Sequence, residues 1–470
     1  MTDETRRNIA VLMADEDADA RRRAAEDLAP ETGLAPIAAL AAALQDESKG
    51  VRDTACRSLL AIGGPHAARA IVEYICSKNI VTRNLAADLL IRNGETGIPA
   101  LLPYLQDPDQ DVRKAVVDVL GLIGGSVPLE RIAPLLNDID PNVVISAAEA
   151  LGNIGRSDVL DELERTFDRC GYARPVVAEA LGKIGDSRCA SFLMDRLIRA
   201  LEHMDEDPLT LLGLIEAVGR VGGPAVLKVL GEHLGRLGEG LWPAAIHAIV
   251  QIASRTGIGF PVIPGVQKSL LLALKSGEIP HRVSAATWLQ GFLSDEVTRA
   301  LVDAFGVDAE LDAVLGPGLQ DRAEALAFLV QSIKTDTGAC ARAKAALLSK
   351  LVLRRIHQMM RASTSAEDGR LVGSAFEAVA HMWERADQDS RSSIVDAMFR
   401  LDGDRAVQFL DTILEQPDPW LRMHVIELIA AIADRRAPEY IARFLNDEDE
   451  TVRALAQGLL EGKGYVPDES

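Results

Sequence analysis

Apolar residues recur along this chain at steps of four, four and three, and the same frame returns about every thirty positions. Val51-Arg52 is followed by Ala55, Leu59, Ile62 and Gly63, and Thr82-Arg83 by Ala86, Leu90, Asn93 and Gly94. Val112-Arg113 leads to Val116, Leu120, Ile123 and Gly124; Val143-Val144 leads to Ala147, Leu151, Ile154 and Gly155. A further copy reads Ala173-Arg174, Val177, Leu181, Ile184 and Gly185. The arginine positions 52, 83, 113, 144 and 174 are separated by 31, 30, 31 and 30 residues, and a poorer copy at Ala20-Arg21, Ala24 and Leu28 lies 31 upstream. Such steps place one apolar stripe on a single helix face. The closing glycine predicts a helix end, because glycine accepts left-handed geometry. A shorter helix follows, with proline near its first turn at Pro36, Pro65 and Pro99, and its own stripe in Ile98, Leu101, Leu102 and Leu105. An aspartate in the turn between the two helices (Asp46, Asp107, Asp138, Asp447) is expected to cap the second one. Each unit is then a helix pair that buries its face only by stacking on neighbours.

These residues resemble the HEAT-repeat family, in particular its short phycobilisome-lyase-type HEAT-like repeats. The resemblance is closest in Leu105-Gln106-Asp107 before Val112-Arg113 and in Leu445-Asn446-Asp447 before Val452-Arg453. It covers residues 13–185 and 405–461 and implies an all-α fold, an α-solenoid of stacked antiparallel helix pairs. Between these stretches the frame lengthens. The position of Arg174 recurs near Leu211, Trp242, Arg282 and Arg322, at steps of 37, 31, 40 and 40, and regular phase returns at Leu421-Arg422, Val425, Ile429 and Ile432. The expected organisation is regular repeats over 1–185, longer divergent repeats with a basic helix over 186–404, two regular repeats over 405–461, and a polar tail over 462–470. Loops are expected at 203–208, 255–265, 306–320 and 362–369.

Composition narrows the functional classes. Hydrophobic residues make up 48% of the chain, enough for a continuous core, while aromatics at 4% are too few for base-stacking platforms. The 70 acids against 50 bases give a formal charge of −20, which repels phosphate backbones and anionic membranes. The partner expected is therefore a protein or peptide, with nucleic acid disfavoured and no membrane. Cys56, Cys76, Cys170, Cys189 and Cys340 are scattered, without a C-x-x-C pair, and fit a reducing, cytoplasmic setting. No signal-like leader or membrane-spanning run is visible.

Two surfaces stand out as candidate binding faces. Five residues beyond the arginine position lie Glu26, Asp88, Asp118, Glu149, Glu179 and Glu216, a row that stacking would align into an acidic face for a basic segment. Alternatively, these acids simply keep the helix soluble. Residues 334–361 run the other way, with Lys334, Arg342, Lys344, Lys350, Arg354, Arg355 and Arg361 against Asp336. This basic helix is either a patch for an acidic partner or a solvated face paired with acids elsewhere. The repeat arginines themselves are expected to pair with turn aspartates of the next repeat, setting register and, as exposed pairs, adding only about 0–1 kcal/mol.

Catalytic patterns are absent from the letters. No His-Glu dipeptide occurs, so the iron-binding pairs of the similar deoxyhypusine hydroxylases have no counterpart. Walker and G-x-S-x-G motifs are missing too. No cofactor, metal or catalytic residue is expected. The reading is a noncatalytic scaffold or adaptor. A phycobilin-lyase-like or chaperone-like role is the alternative that the resemblance implies, and a role like that of HEAT-like alkylpurine glycosylases is opposed by the charge.

Overall fold

The computed structural model describes the chain except for residues 204–205, 323, 337, 361–365, 384–387, 410–411, 413–414, 416, 432–435 and 463–470, and except for the side chains of 338, 353, 355–360, 366–369, 371, 388–390, 408 and 462. Residues 463–470 of the expected tail, Ile432, Arg361 and residues 362–365 of the expected 362–369 loop therefore lie outside the described residues, as does the side chain of Arg355. Residues 366–369 of that loop, and Gly462 of the tail, are helical instead. Among the described residues there is no strand. The chain is all-α.

Two compact units are present, the first made of residues 1–237 and 251–262 and the second of 238–250 and 263–470. The first contains α1 (Asp3–Ala14), α2 (Ala18–Asp27), α3 (Leu34–Ala42), α4 (Lys49–Ile62), α5 (Gly64–Val72), α6 (Ile80–Asn93), α7 (Ile98–Leu101) and α8 (Gln110–Ile123). It continues with α9 (Leu129–Ile132), α10 (Pro141–Ile154), α11 (Leu160–Arg169), α12 (Arg174–Ile184), α13 (Ala190–His203), α14 (Pro208–Val221) and α15 (Pro224–His233). Helix α16 (Trp242–Thr256) carries residues of both units. In the first unit the even-numbered helices α2 to α14 stack in one layer, and the odd-numbered ones pack behind them. This is the α-solenoid arrangement, in which each pair contacts mainly its neighbours.

The even-numbered helices approach unusually closely from α8 onward. A side-chain carbon placed on Gly121 of α8 would meet Ala150 Cα of α10 at 2.6 Å. The same collision recurs at 2.7 Å between Gly152 and Ala180 Cα of α12, and at 2.8 Å between Gly182 and Ala217 Cα of α14. One glycine follows the stripe leucine in each helix, and one alanine precedes the stripe residue of the next, Leu151, Leu181 or Val218. Backbones thus touch where ordinary side chains would hold them apart. In α6 the corresponding residue is Ile91, and in α8 the facing one is Val119. Both line an open groove between α6 and α8.

The second unit contains α17 (Val266–Ala273), α18 (Ile279–Leu289), α19 (Asp295–Ala304), α20 (Ala309–Gln320), α21 (Ala325–Ile333), α22 (Gly338–Met360), α23 (Ala366–Met382) and α24 (Gln388–Leu401). It ends with α25 (Gly403–Ala406), α26 (Pro419–Ala431), α27 (Ala437–Ala442) and α28 (Glu450–Gly462). Two expectations fail here. The expected loop at 306–320 is mostly helix α20, whose Leu311, Leu315 and Leu319 are buried at helical spacing. Gly316-Pro317-Gly318 favours a break, but the stripe overrides it, and Gln290 Nε2 donates to the Val314 carbonyl beside the proline. The frame placed on Arg322 falls on α21, which packs against α19 and α23 rather than continuing the stripe of α18. Arg322 is buried there and donates to the carbonyls of Leu289, Gln290 and Phe292, closing the end of α18.

The turn aspartates also act one step away from the expected place. Asp107 and Asp138 accept the N–H groups of Asp109 and Asp140, and these second aspartates cap α8 and α10 through Asp111 N–H and Asn142 N–H. Asp447 and Asp449 repeat the arrangement before α28.

Glycine packing gives a test with opposite signs at two sites. Gly152→Ala should destabilise the first unit by about 1–3 kcal/mol through overpacking. Gly458→Ala, in α28 with open space around it, should stabilise by about 0.4–1 kcal/mol through the unfolded chain. Denaturant unfolding with site-resolved hydrogen exchange measures both; a stabilising Gly152→Ala would refute the close approach.

Candidate interaction surfaces

The repeat arginines build the frame on which any surface sits. Arg21 Nε and Nη2 donate to Asp46 at 2.8 and 2.9 Å, Arg113 to Asp138 at 2.8 and 2.7 Å, and Arg422 to Asp447 at 2.9 and 2.9 Å. In all three pairs the partners are 25 residues apart, so each arginine reaches the turn of the next repeat. The remaining Nη1 of Arg21 and Arg113 donates to two carbonyls of its own turn, Asp15 and Glu16 or Asp107 and Pro108. Arg52 and Arg453 make the same carbonyl contacts, and Arg174 binds Glu206 instead of an aspartate.

These pairs are not the exposed ones expected. The Arg422 and Asp447 side chains are 1% and 3% exposed, and those of Arg113 and Asp138 are 11% and 8%. Packing of the next turn covers them, a consequence of stacking that no single repeat displays. A buried, fully hydrogen-bonded pair adds little over an apolar replacement, yet removing one partner strands a charge. Burial by itself would raise the carboxyls of Asp46 and Asp138. The guanidinium of Arg21 or Arg113 and the N–H of Ser48 or Asp140 outweigh it, so both sit below the usual carboxylate range.

The six predicted acids lie on α2, α6, α8, α10, α12 and α14, with Arg57 at the same position on α4. Five of them have a base one turn away on the same helix: Arg22 for Glu26 at 3.8 Å, Arg92 for Asp88 at 3.7 Å, Lys114 for Asp118 at 2.7 Å, Lys183 for Glu179 at 2.8 Å and Arg220 for Glu216 at 4.0 Å. The row is thus a ladder of local ion pairs, with its charge largely compensated. Glu149 differs: it is exposed, and Asn153 occupies the place of the base. Between α6 and α8 this face opens into a groove of about 330 Å³, lined by Arg83, Ile91, Asp111, Lys114, Asp118 and the exposed Leu122.

The basic helix is α22. Its Leu347, Leu348, Leu351 and Val352 are buried, so the apolar stripe belongs to the core of the second unit. Lys344 is also buried, and its Nζ donates to Asp336 at 2.6 Å and to Ser332 at 2.8 Å. Arg354 is exposed and pairs with Asp321 at 3.2 Å, across from the end of α20. Arg342 is half-buried and Lys350 exposed. The structure therefore leaves a smaller basic face than the letters imply, since two of its cations are bound within the fold.

A second groove escaped sequence reasoning. It lies between α17 and α19, where one cavity of about 690 Å³ adjoins another of about 510 Å³, sharing Lys275, Glu296 and Ala300. No repeat-phase signal pointed to it, since it depends on the spacing of two helices that the sequence does not specify. Elsewhere the chemistry is muted. Among the described residues no group of three His, Cys, Asp or Glu side chains is placed to hold a metal ion. Burial pushes the Cys56 and Cys189 thiols up to about 11, so both stay protonated near neutrality. No helix among the described residues is long and apolar enough to cross a membrane.

Residues 5–91 and 98–174 match the family described as HEAT repeats. No curated protein matches the chain. Among solved structures it is similar to the karyopherin Kap121p, solved bound to the SUMO protease Ulp1p, at 15% identity and a TM-score of 0.48 over 99% of this chain. It spans 62% of the length of that karyopherin chain. It is also similar to yeast importin-beta (Kap95p), at 14% identity and a TM-score of 0.40 over 97% of this chain and 68% of the other. These likenesses concern the fold alone.

The buried pairs predict how the frame fails. Asp447→Ala should cost about 3–5 kcal/mol by stranding Arg422, while Glu448→Ala, whose exposed carboxylate lies 3.5 Å from the same arginine, should cost under about 1 kcal/mol. Hydrogen exchange over α26 to α28 reads the difference. The depressed Asp46 and Asp138 carboxyls give stability that is present above the unfolded value near 3.9 and is lost as pH falls through the lower folded values. The stability gap between the wild type and Asp138→Asn should accordingly close in acid melts below about pH 4. A gap that persists there would contradict the assignment.

Proposed function

We propose that the chain is a noncatalytic scaffold or adaptor that holds a protein or peptide partner along its repeat surfaces. The observation that carries this reading is the groove between α6 and α8. It opens at the edge of the closely packed α8–α14 stretch, it sets the exposed Leu122 beside Ile91, and charged residues of both signs ring it. A surface with an apolar floor and a polar rim suits a partner side chain or short segment. The acidic row extends from this groove, with Glu149 as its uncompensated member. A cytoplasmic setting, in which the five cysteines remain thiols, belongs to the same reading. The finer resemblance to phycobilisome-lyase-type repeats, and the lyase-like or chaperone-like role that it implies, has no observation above in its favour.

Affinity capture with the tagged full chain tests the proposal. The wild type should retain a specific protein, and Leu122→Asp or Glu149→Lys should reduce its recovery severalfold. A partner retained equally by both variants and by the Arg354→Glu variant would place binding outside all these surfaces. No specific protein captured from native lysates would count against the scaffold itself.

A further inference from the structure

We propose that the groove between α17 and α19 receives an amphipathic helix of a partner protein, carrying acids along one edge and lysines or arginines along the other. This rests on the scaffold reading and adds a second docking place with a defined partner chemistry. The groove is built from two open helix faces. On α17, Gln267 and Leu271, with Lys268 and Leu272, recur one turn apart and lead on to Lys275; on α19, Glu296, Ala300 and Ala304 do the same. The floor is apolar: Leu272 is 39% exposed, Leu271 half-buried and Leu274 buried, and opposite them stand only the small Ala300 and Ala304. Two alanines where a stacked helix would normally find larger residues leave room above them for a third helix.

Size and charge select the occupant. Helices of eight and ten residues at about 1.5 Å per residue give a trough roughly 12–15 Å long, the length of two to three turns. Three apolar side chains at helical spacing would lie along its floor. The α17 wall and the start of α18 carry Lys268, Lys275 and Arg282, and the α19 wall carries Asp295, Glu296 and Asp303. Some of these charges are already engaged. Lys268 lies 3.7 Å from Glu239, Glu296 accepts from Gln267 at 2.8 Å, and Arg282 Nε donates to the Leu274 carbonyl. Arg299 also lines this wall, with its guanidinium over the Phe328 ring at 4.8 Å, and offsets one of the three acids, so the α19 wall stays net acidic. Lys275, Asp295 and Asp303 stand exposed at the rim. A helix with unlike edges complements both walls at once, whereas one with like edges meets repulsion on one side.

The test uses the full chain and three synthetic helical peptides sharing one Leu-rich stripe. Their edges are Glu on one side and Lys on the other, Glu on both, and Lys on both. Fluorescence anisotropy should show the mixed-edge peptide binding at least about tenfold more tightly than either of the others. Leu272→Asp, at an exposed position, should abolish that preference with an unchanged circular-dichroism melt. Lys275→Glu should weaken the mixed-edge peptide and strengthen the all-Lys one. Equal binding of all three peptides, no binding of any, or insensitivity to Leu272→Asp would overturn the proposal. So would a wild-type dimer in sedimentation that Leu272→Asp dissociates, because a second copy would then fill the groove. The scaffold reading fails separately, by loss of specific capture, and survives if only Leu122 and Glu149 control the captured partner.

Discussion

The distance between neighbouring even-numbered helices governs what this protein can present to a partner. Where glycine follows the stripe leucine and alanine precedes the stripe residue of the next repeat, backbones meet and the face between α8 and α14 is closed. Where Ile91 and Val119 stand at those positions, the same face opens into a groove. A small difference in side-chain bulk at two positions per interface thus decides between core and site. Protein interiors are packed densely enough that such a difference cannot be absorbed without moving a helix.

Register is held by a different device. Arg–Asp pairs clamp three of the repeats to the turn of the next, at a constant sequence separation of 25 residues. Because each guanidinium is paired or bonded to carbonyls, these charges are satisfied inside the stack and contribute nothing to recognition. The same holds on the surface, where local ion pairs compensate most of the acidic row, and on α22, where Lys344 is bound by Asp336. A chain with a formal charge of −20 therefore does not offer a uniformly acidic face. What remains for recognition is local: grooves with apolar floors and rims of both signs.

Much of this was legible in the letters, and the gaps have physical reasons. The helix frame was readable because a stripe of period 3.6 depends on one chain segment only. The Arg–Asp partnership was readable because both residues recur in phase. Their burial was not, since it is created by the adjoining repeat. Arg22, Arg92, Lys114, Lys183 and Arg220 were visible beside the acids, but a row considered one position at a time hides its neighbours on the same helix. Gly316-Pro317-Gly318 suggests a loop only while local breakers are weighed above the leucines that bury α20. The α17–α19 groove was the least accessible, as it depends on how far two helices separate after an irregular repeat.

The most direct measurement is a crystal structure of the Ile91→Gly, Val119→Ala double variant. Helices α6 and α8 should then approach as closely as α8 and α10 do, with the introduced alanine of α8 against the introduced glycine of α6, and the groove lined by Arg83, Lys114 and Leu122 should close. An unchanged helix spacing, with the groove still open around two smaller side chains, would contradict the claim that these positions set the surface.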